Sequence, residues 1–398
     1  MALGKIQNFK YLLFGNVFNS NLSETNGKQN RNYADICKNK ESSKHGENLA
    51  VVLHGINDLK IEKRPIPKLK PNQVLLQMEV VGICGSDVHF FREGRIGPFV
   101  VEKPMIIGHE GSGTVVECGP AVKTLKSGDR VAIEPQISCR MCDYCKTGNY
   151  HLCQGLYFCA APPDDGNLSR YYAHDSDFCF KLPDNLDFEH ATLMEPLAVG
   201  VHACKRGGVT SGDSVLVLGS GPIGLVSILA ARAYGASKIV VTDVDDFKLK
   251  KAHEVGVDCT CNIKGLNVDE ALECIKSILP EHPRVTIDCC GLEDAVKVGM
   301  KATKSGGKLV LVGMGTDKMA LPITECIFRE VDLLGVFRYV NDYPTAIDMV
   351  SSGKIDPKPL ITHHFKFEDS VKAFETAKNK TEDYIKIMIH PNPKWKPK

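Results

Sequence analysis

From about Leu49 the chain reads as short alternating or continuous apolar pieces cut by Gly and Pro: LAVVLHG, QVLLQMEVVGIC, GSGTVVECG and DRVAIEP. Many short strands with turn residues between them predict a compact β-barrel. From Gly212 the texture changes. SVLVLGSGPIGLVSILAARAYG is an apolar strand, a glycine turn and a helix, and KIVVTDV, VTIDCC, KLVLVG and DLLGVF follow as strands with helical stretches between them. Strands alternating with helices predict a parallel sheet of βαβ units. After Arg338 a helical stretch, DYPTAIDMVSSG, leads to closing β-like pieces that end in DYIKIMIH. Residues 1–48 are polar, rich in Asn, Lys and Ser, and without a sustained period, which predicts a disordered extension. Its poverty in Arg and non-amphipathic middle favour that reading over a mitochondrial transit peptide.

Composition narrows the picture. At 398 residues the chain is too long for one core and comfortable for two domains. Hydrophobic residues at 43% and charged residues at 24% are those of an ordinary globular protein. A net charge of +1, from 49 basic and 48 acidic residues, gives no electrostatic reason to expect nucleic acid or a membrane surface as partner. No apolar run is long enough to predict a transmembrane helix. The 16 cysteines come without a recognisable export signal. Cys118, Cys204 and Cys326 stand alone in apolar stretches, where a thiol behaves as a small hydrophobe. Others cluster at metal spacing, so reduced thiols plus zinc in a cytoplasmic protein are expected, with a mitochondrial address second.

The glycine turn carries the first chemistry. Gly219-Ser220-Gly221-Pro222-Ile223-Gly224 fits G-x-G-x-x-G, directly after the apolar Val215–Leu218 and opening a helix. Gly219 permits the tight turn, Gly221 lets backbone approach a pyrophosphate, and Gly224 lets helix pack on strand. Asp243, at the end of the next strand, is placed to accept hydrogen bonds from a ribose and to repel a 2′-phosphate. Asp245 and Asp246 follow, with only Lys248 as a nearby cation. The cofactor expected is NAD rather than NADP; the competing reading is a structural turn in a nucleotide-free sheet.

Cys139-x-x-Cys142-x-x-Cys145-x₇-Cys153 places four thiols where four soft ligands would close a tetrahedral, structural zinc site. A redox dithiol and a nucleic-acid-binding ribbon are the weaker alternatives. A second group is dispersed: Cys84 in CGSDVH, His109-Glu110, and Glu195-Pro196. One Cys, one His and carboxylates suit zinc with an open position. Taken by spacing alone, this group is as well explained by a core cysteine and a surface His-Glu pair.

GICGSDVH, GHEGSGTV, the four-cysteine lobe, EPLAVGVHAC, GSGPIG and GVFRY together make the chain resemble the zinc-containing medium-chain dehydrogenase/reductase family, in its polyol branch. The similarity runs from about residue 49 to about residue 390. It implies an α/β fold: a GroES-like β-barrel catalytic domain (49–196 and 338–398) with a doubly wound Rossmann domain (197–337) inserted. It also implies a catalytic zinc held by Cys84, His109 and Glu110, with Glu195 reaching it directly or through water, and Asp87 orienting His109. Ser86 would take the substrate proton and His89 would pass it on. Arg338 and Tyr339, with Phe158 and Phe90, would meet a substrate bearing several hydroxyls, such as sorbitol, xylitol or iditol. Ile223, Val312, Gly313, Met314, Val336 and Phe337, with Arg338, would line the cofactor cleft. Phe90 stands where the family often has Tyr, which leaves the choice of polyol open. A homotetramer is implied as well. The alternatives are a related dehydrogenase for a secondary alcohol or threonine, and a catalytically dead binding homologue.

Overall fold

The computed structural model describes residues 46–316 and 318–396. The extension read over residues 1–48 lies almost wholly outside the described residues. Among those described, no helix is long and apolar enough to cross a membrane.

Gln73–Gly82 is the organising strand of the first half, because its side chains are buried on both faces. It pairs antiparallel with Glu110–Cys118, Tyr171–Asp175 and the late strand Lys386–His390. Arg130–Ile133 and Cys179–Lys181 extend one side of this seven-stranded sheet, and Ile361–Lys366 ends the other. A smaller sheet of Asp58–Lys63, Leu49–Gly55 and Met105–Ile106 closes on the same apolar cluster, which includes Val51, Leu53, Leu76, Met78, Phe91 and Ile387. Residues from both ends of the chain thus share one core.

The second sheet is six-stranded and wholly parallel, in the order Cys259–Asn262, Lys238–Asp243, Ser214–Leu218, Val285–Asp288, Lys308–Leu311, Asp332–Gly335. Chain order therefore reverses on either side of Ser214–Leu218, which opens a crevice at that strand's carboxyl end. The strand residues Val215–Leu218 are buried on both faces, as helix-covered parallel strands require.

The helix Phe188–Gly207 joins the two halves. Asp187 caps it by accepting the N–H of His190 at 3.0 Å. Thr192 near its start bonds the carbonyl of Val80 in the barrel, while Gly200 lies against the helix Pro222–Ala233. A Cβ at Gly200 would sit 2.7 Å from the Val226 carbonyl oxygen, so that helix contact needs glycine. Residues 196 and 197, where the sequence suggests one half giving way to the other, lie inside this single helix.

The strand expected to run through Cys84 stops at Gly82, and Cys84 instead caps the helix Gly85–Glu93. The turn is made there because the Asp87 carboxylate accepts the Cys84 N–H at 3.0 Å. The expectation of reduced thiols outside the zinc groups fails for Cys261 and Cys274. These are joined in a disulfide, since packing of the helix Val268–Ile278 on the strand Cys259–Asn262 brings their Cα atoms to 6.6 Å.

Candidate active site

Strand pairing assembles the dispersed residues. Gly82 pairs with Glu110, which sets the Glu110 carboxylate beside the Cys84 turn. The ligand atoms of Cys84, His109 and Glu110 all lie within 4.8 Å of one another. Asp87 is fully buried and binds this corner together. It accepts the N–H of Cys84 and of Gly108, at 3.0 and 3.3 Å, and its Oδ1 lies 3.2 Å from His109 Nδ1. The other ring nitrogen of His109 is thereby left to act as a ligand.

Lys386, which the sequence reading did not single out, holds Glu110. Its Nζ lies 2.7 Å from both carboxylate oxygens, and both residues are buried. Each oxygen retains a second lone pair, so an ion pair with Lys386 and a bond to a metal are compatible. The signal was a single cation in the apolar run IKIMIH. Glu195, on the long helix, is buried beside this group, and desolvation pushes its carboxyl up to about 7. The Tyr339 hydroxyl donates to Glu195 Oε1 at 2.9 Å, and Tyr339 is itself wholly buried.

Arg338 packs against two rings. Its guanidinium carbon is 3.7 Å from the Phe158 centroid and 4.6 Å from that of Phe337, and the Phe158 ring is 5.7 Å from His109. Burial pulls Arg338 down to about 10, which leaves it charged at neutral pH. Arg338 and Asn341 both have positive φ, +56° and +55°, an uncommon conformation for such residues. The segment is pinned by Asp342, whose carboxylate meets His202 Nδ1 at 3.0 Å and Lys205 Nζ at 2.5 Å. Ser86 and His89 lie on the helix Gly85–Glu93. His89 is half-exposed, with Nδ1 at 3.5 Å from Glu93. Phe90, on the same helix, points into the barrel's apolar core instead.

The four-cysteine lobe is compact, with all four sulfurs within 4.8 Å of one another. Cys139 Sγ and Cys145 Sγ are 3.9 Å apart, against about 3.8 Å for two thiolates on one tetrahedral zinc. Backbone N–H groups of Met141 and Cys142 pull the Cys139 thiol down to about 6, favouring the ligating thiolate. The donor set fits a closed zinc site.

At the glycine turn each glycine has its own reason. Gly219 has φ +93°. A Cβ at Gly224 would lie 1.9 Å from the Gly219 carbonyl oxygen, whereas one at Gly221 would meet nothing within 4 Å. Gly221 thus borders open space of the kind a pyrophosphate would occupy. Asp243 Oδ2 accepts the N–H and hydroxyl of Ser220 at 2.7 and 3.0 Å, so the carboxylate also shapes the turn. A cleft joins the two halves here, lined by Cys84, Gly85 and Val88 on one side and by Pro222, Asp245, Phe247 and Lys248 on the other. Of the other cleft residues expected, Ile223, Val312, Gly313 and Val336 are partly covered, while Met314 and Phe337 are exposed.

Comparison with known proteins agrees with this architecture. Residues 70–184 match the alcohol dehydrogenase GroES-like domain and residues 222–352 match the zinc-binding dehydrogenase family. The chain belongs to the zinc-containing medium-chain dehydrogenase/reductase family, and it is an oxidoreductase that uses zinc and NAD. Among its relatives, mouse sorbitol dehydrogenase is 52% identical over 347 residues, 87% of this chain and 97% of that one. Human sorbitol dehydrogenase is 51% identical, covering 87% and 96%. Among solved structures, L-idonate 5-dehydrogenase from Escherichia coli superposes with a TM-score of 0.80 at 30% identity, covering 87% of this chain and 98% of that one. A dehydrogenase from Escherichia coli CFT073, described as complexed with NADH, gives 0.80 at 26% identity, covering 86% and 99%.

Proposed function

We propose that the protein oxidises a polyol of the sorbitol, xylitol or iditol kind at a secondary hydroxyl, giving the ketose and NADH. The carrying observation is the charged Arg338 fork, packed against Phe158 and Phe337 beside the Cys84, His109 and Glu110 group. A planar cation with several donors suits a substrate with several oxygens, where a plain alcohol would want an apolar wall. The 52% identity to a sorbitol dehydrogenase supports the same reading.

Cys84, His109 and Glu110 would hold the catalytic zinc, with Glu195 adjacent, and Cys139, Cys142, Cys145 and Cys153 the structural one. Zinc held there supplies Lewis acidity that brings a hydroxyl pKa toward neutrality, and the dinucleotide supplies the hydride acceptor. Ser86 accepts the hydroxyl proton, and half-exposed His89 hands it to solvent with Glu93 steadying the ring. Tyr339 acts through Glu195, whose carboxylate it fixes, and Arg338 orients the polyol. Gly219, Gly221, Ile223 and Gly224 would hold the pyrophosphate, Asp243 and Lys248 would flank the adenosine ribose, and Val312, Gly313, Met314, Val336 and Phe337 would border the nicotinamide side.

The working form is read as a homotetramer in the cytoplasm, its barrel and dinucleotide domains meeting at the cleft. The apolar face of the helix Ile323–Arg329, with Phe328 86% exposed beside the edge strand Asp332–Gly335, supports self-association. The test of activity is the initial rate of NAD reduction on sorbitol, xylitol, threonine and isopropanol, with and without a zinc chelator. Chelator-sensitive turnover of the polyols is expected. Turnover of isopropanol or threonine alone would reassign the substrate class, and silence on all four would point to a binding homologue.

A further inference from the structure

A second cluster of metal-ligating side chains lies away from the cleft, where the edge of the seven-stranded sheet meets the start of the long helix. His364 belongs to the edge strand Ile361–Lys366, and His390 ends its neighbour Lys386–His390. The parallel register pairs His364 with Met388 and Lys366 with His390, so the two histidines are diagonal neighbours on one face. Glu189 approaches from the first turn of the helix Phe188–Gly207.

His364 Nδ1 and His390 Nε2 share a hydrogen bond at 3.0 Å, whose proton an ion would replace, Glu189 Oε1 lies 3.8 Å from His364 Nδ1, and all three atoms fall within 4.8 Å of one another. Ligand atoms on one tetrahedral ion, at about 2.1 Å from it, stand about 3.4 Å apart. The cluster is therefore close to that spacing before any ion enters. The other Glu189 oxygen turns to Lys358 at 3.6 Å, so a single oxygen is offered inward. His390 is buried, and its Nδ1 has no hydrogen-bond partner. The indole of Trp395 stacks flat on His390, centroids 3.8 Å apart and planes 9° apart, and fixes the ring.

We propose that His364, His390 and Glu189 form an additional site for a divalent transition ion of the zinc kind, separate from the catalytic group and the four-cysteine lobe. Two imidazoles and one carboxylate make a borderline donor set that leaves a fourth position for water. An ion there would tie the edge strand, the last strand and the start of the long helix together, with Trp395 as its lid.

Trp395 is the single tryptophan of the chain, so it reports this site and no other. Enzyme carrying two zinc ions per chain, titrated with Ni²⁺, is expected to show saturable quenching of Trp395 fluorescence at about one equivalent, reversed by excess Zn²⁺. His364→Ala and Glu189→Gln are each expected to weaken that binding by about tenfold or more while leaving the far-UV spectrum unchanged. Quenching that fails to saturate, or that is the same in both variants, would overturn the site. Wild-type enzyme equilibrated with micromolar Zn²⁺ gives an independent reading. Zinc bound beyond the catalytic and four-cysteine sites is expected, and its absence would overturn the proposal without any variant.

Discussion

Gly82 shows how little space the corner of Cys84, His109 and Glu110 leaves. A Cβ there would lie 2.3 Å from Glu110 Oε2 and 3.3 Å from the Thr192 methyl, so an alanine must displace the carboxylate. Gly82→Ala is expected to lose the catalytic zinc while keeping the four-cysteine zinc, which metal analysis per chain would reveal. A full complement in the variant would mean that Glu110 is not a ligand. Cys84→Ala removes a ligand outright. It is expected to abolish turnover and leave NADH binding, read by nucleotide fluorescence, unchanged. Neither Gly82 nor Lys386 stands out in the sequence, because each acts on a partner 28 or more positions away. A glycine at a strand end and a lysine near the chain's end acquire meaning only through strand pairing. The four-cysteine lobe and G-x-G-x-x-G were legible for the opposite reason, since each packs its chemistry into one short stretch.

Among the elements, the glycine turn is the most exacting. Gly224→Ala would drive the helix Pro222–Ala233 off the strand Ser214–Leu218, because its Cβ falls 1.9 Å from a backbone oxygen. The expected result is at least about a tenfold loss of NADH affinity, roughly 1.4 kcal/mol, measured by fluorescence titration. Retained affinity would separate the turn from nucleotide binding. Alternation of strand and helix made the parallel sheet readable from residue 212 onward. The helix Gly85–Glu93 was not readable. Its apolar residues continue the texture of the preceding strand, and the switch depends on Asp87 folding back to the Cys84 N–H. The joining of Cys261 to Cys274 was hidden likewise, for it depends on how a helix packs on a strand.

For the molecule as a whole, pH and self-association are the two levers. His174 is completely buried in the barrel, with Nε2 2.8 Å from the Glu134 carbonyl oxygen and Nδ1 3.0 Å from the Tyr172 hydroxyl. Desolvation lowers it from 6.5 to about 4 in the folded protein. The unfolded chain therefore binds the proton more readily, and the stability due to the neutral ring is present above pH 6.5 and lost as pH falls toward 4. A loss on the order of 3 kcal/mol across that interval is expected from this residue. His174→Gln should flatten the acid limb of a denaturant-midpoint profile, and an unchanged limb would assign it to other groups. On the surface, Phe328→Glu with Ile327→Glu is expected to lower the oligomeric state by sedimentation equilibrium; an unchanged mass would place the interface elsewhere.

The helix Phe188–Gly207 also bears on how this protein can be re-engineered. It hydrogen-bonds to the barrel through Thr192, sets Glu195 beside His109 and Glu110, and rests by Gly200 against the helix Pro222–Ala233. A chimaera that borrows a foreign cofactor lobe and is spliced at residues 196 and 197 would break one continuous helix. A junction before Asp187 or after Gly208 would leave the helix and both its caps intact. Whoever exchanges nucleotide preference by recombination must choose which donor supplies this whole helix, and with it Glu195.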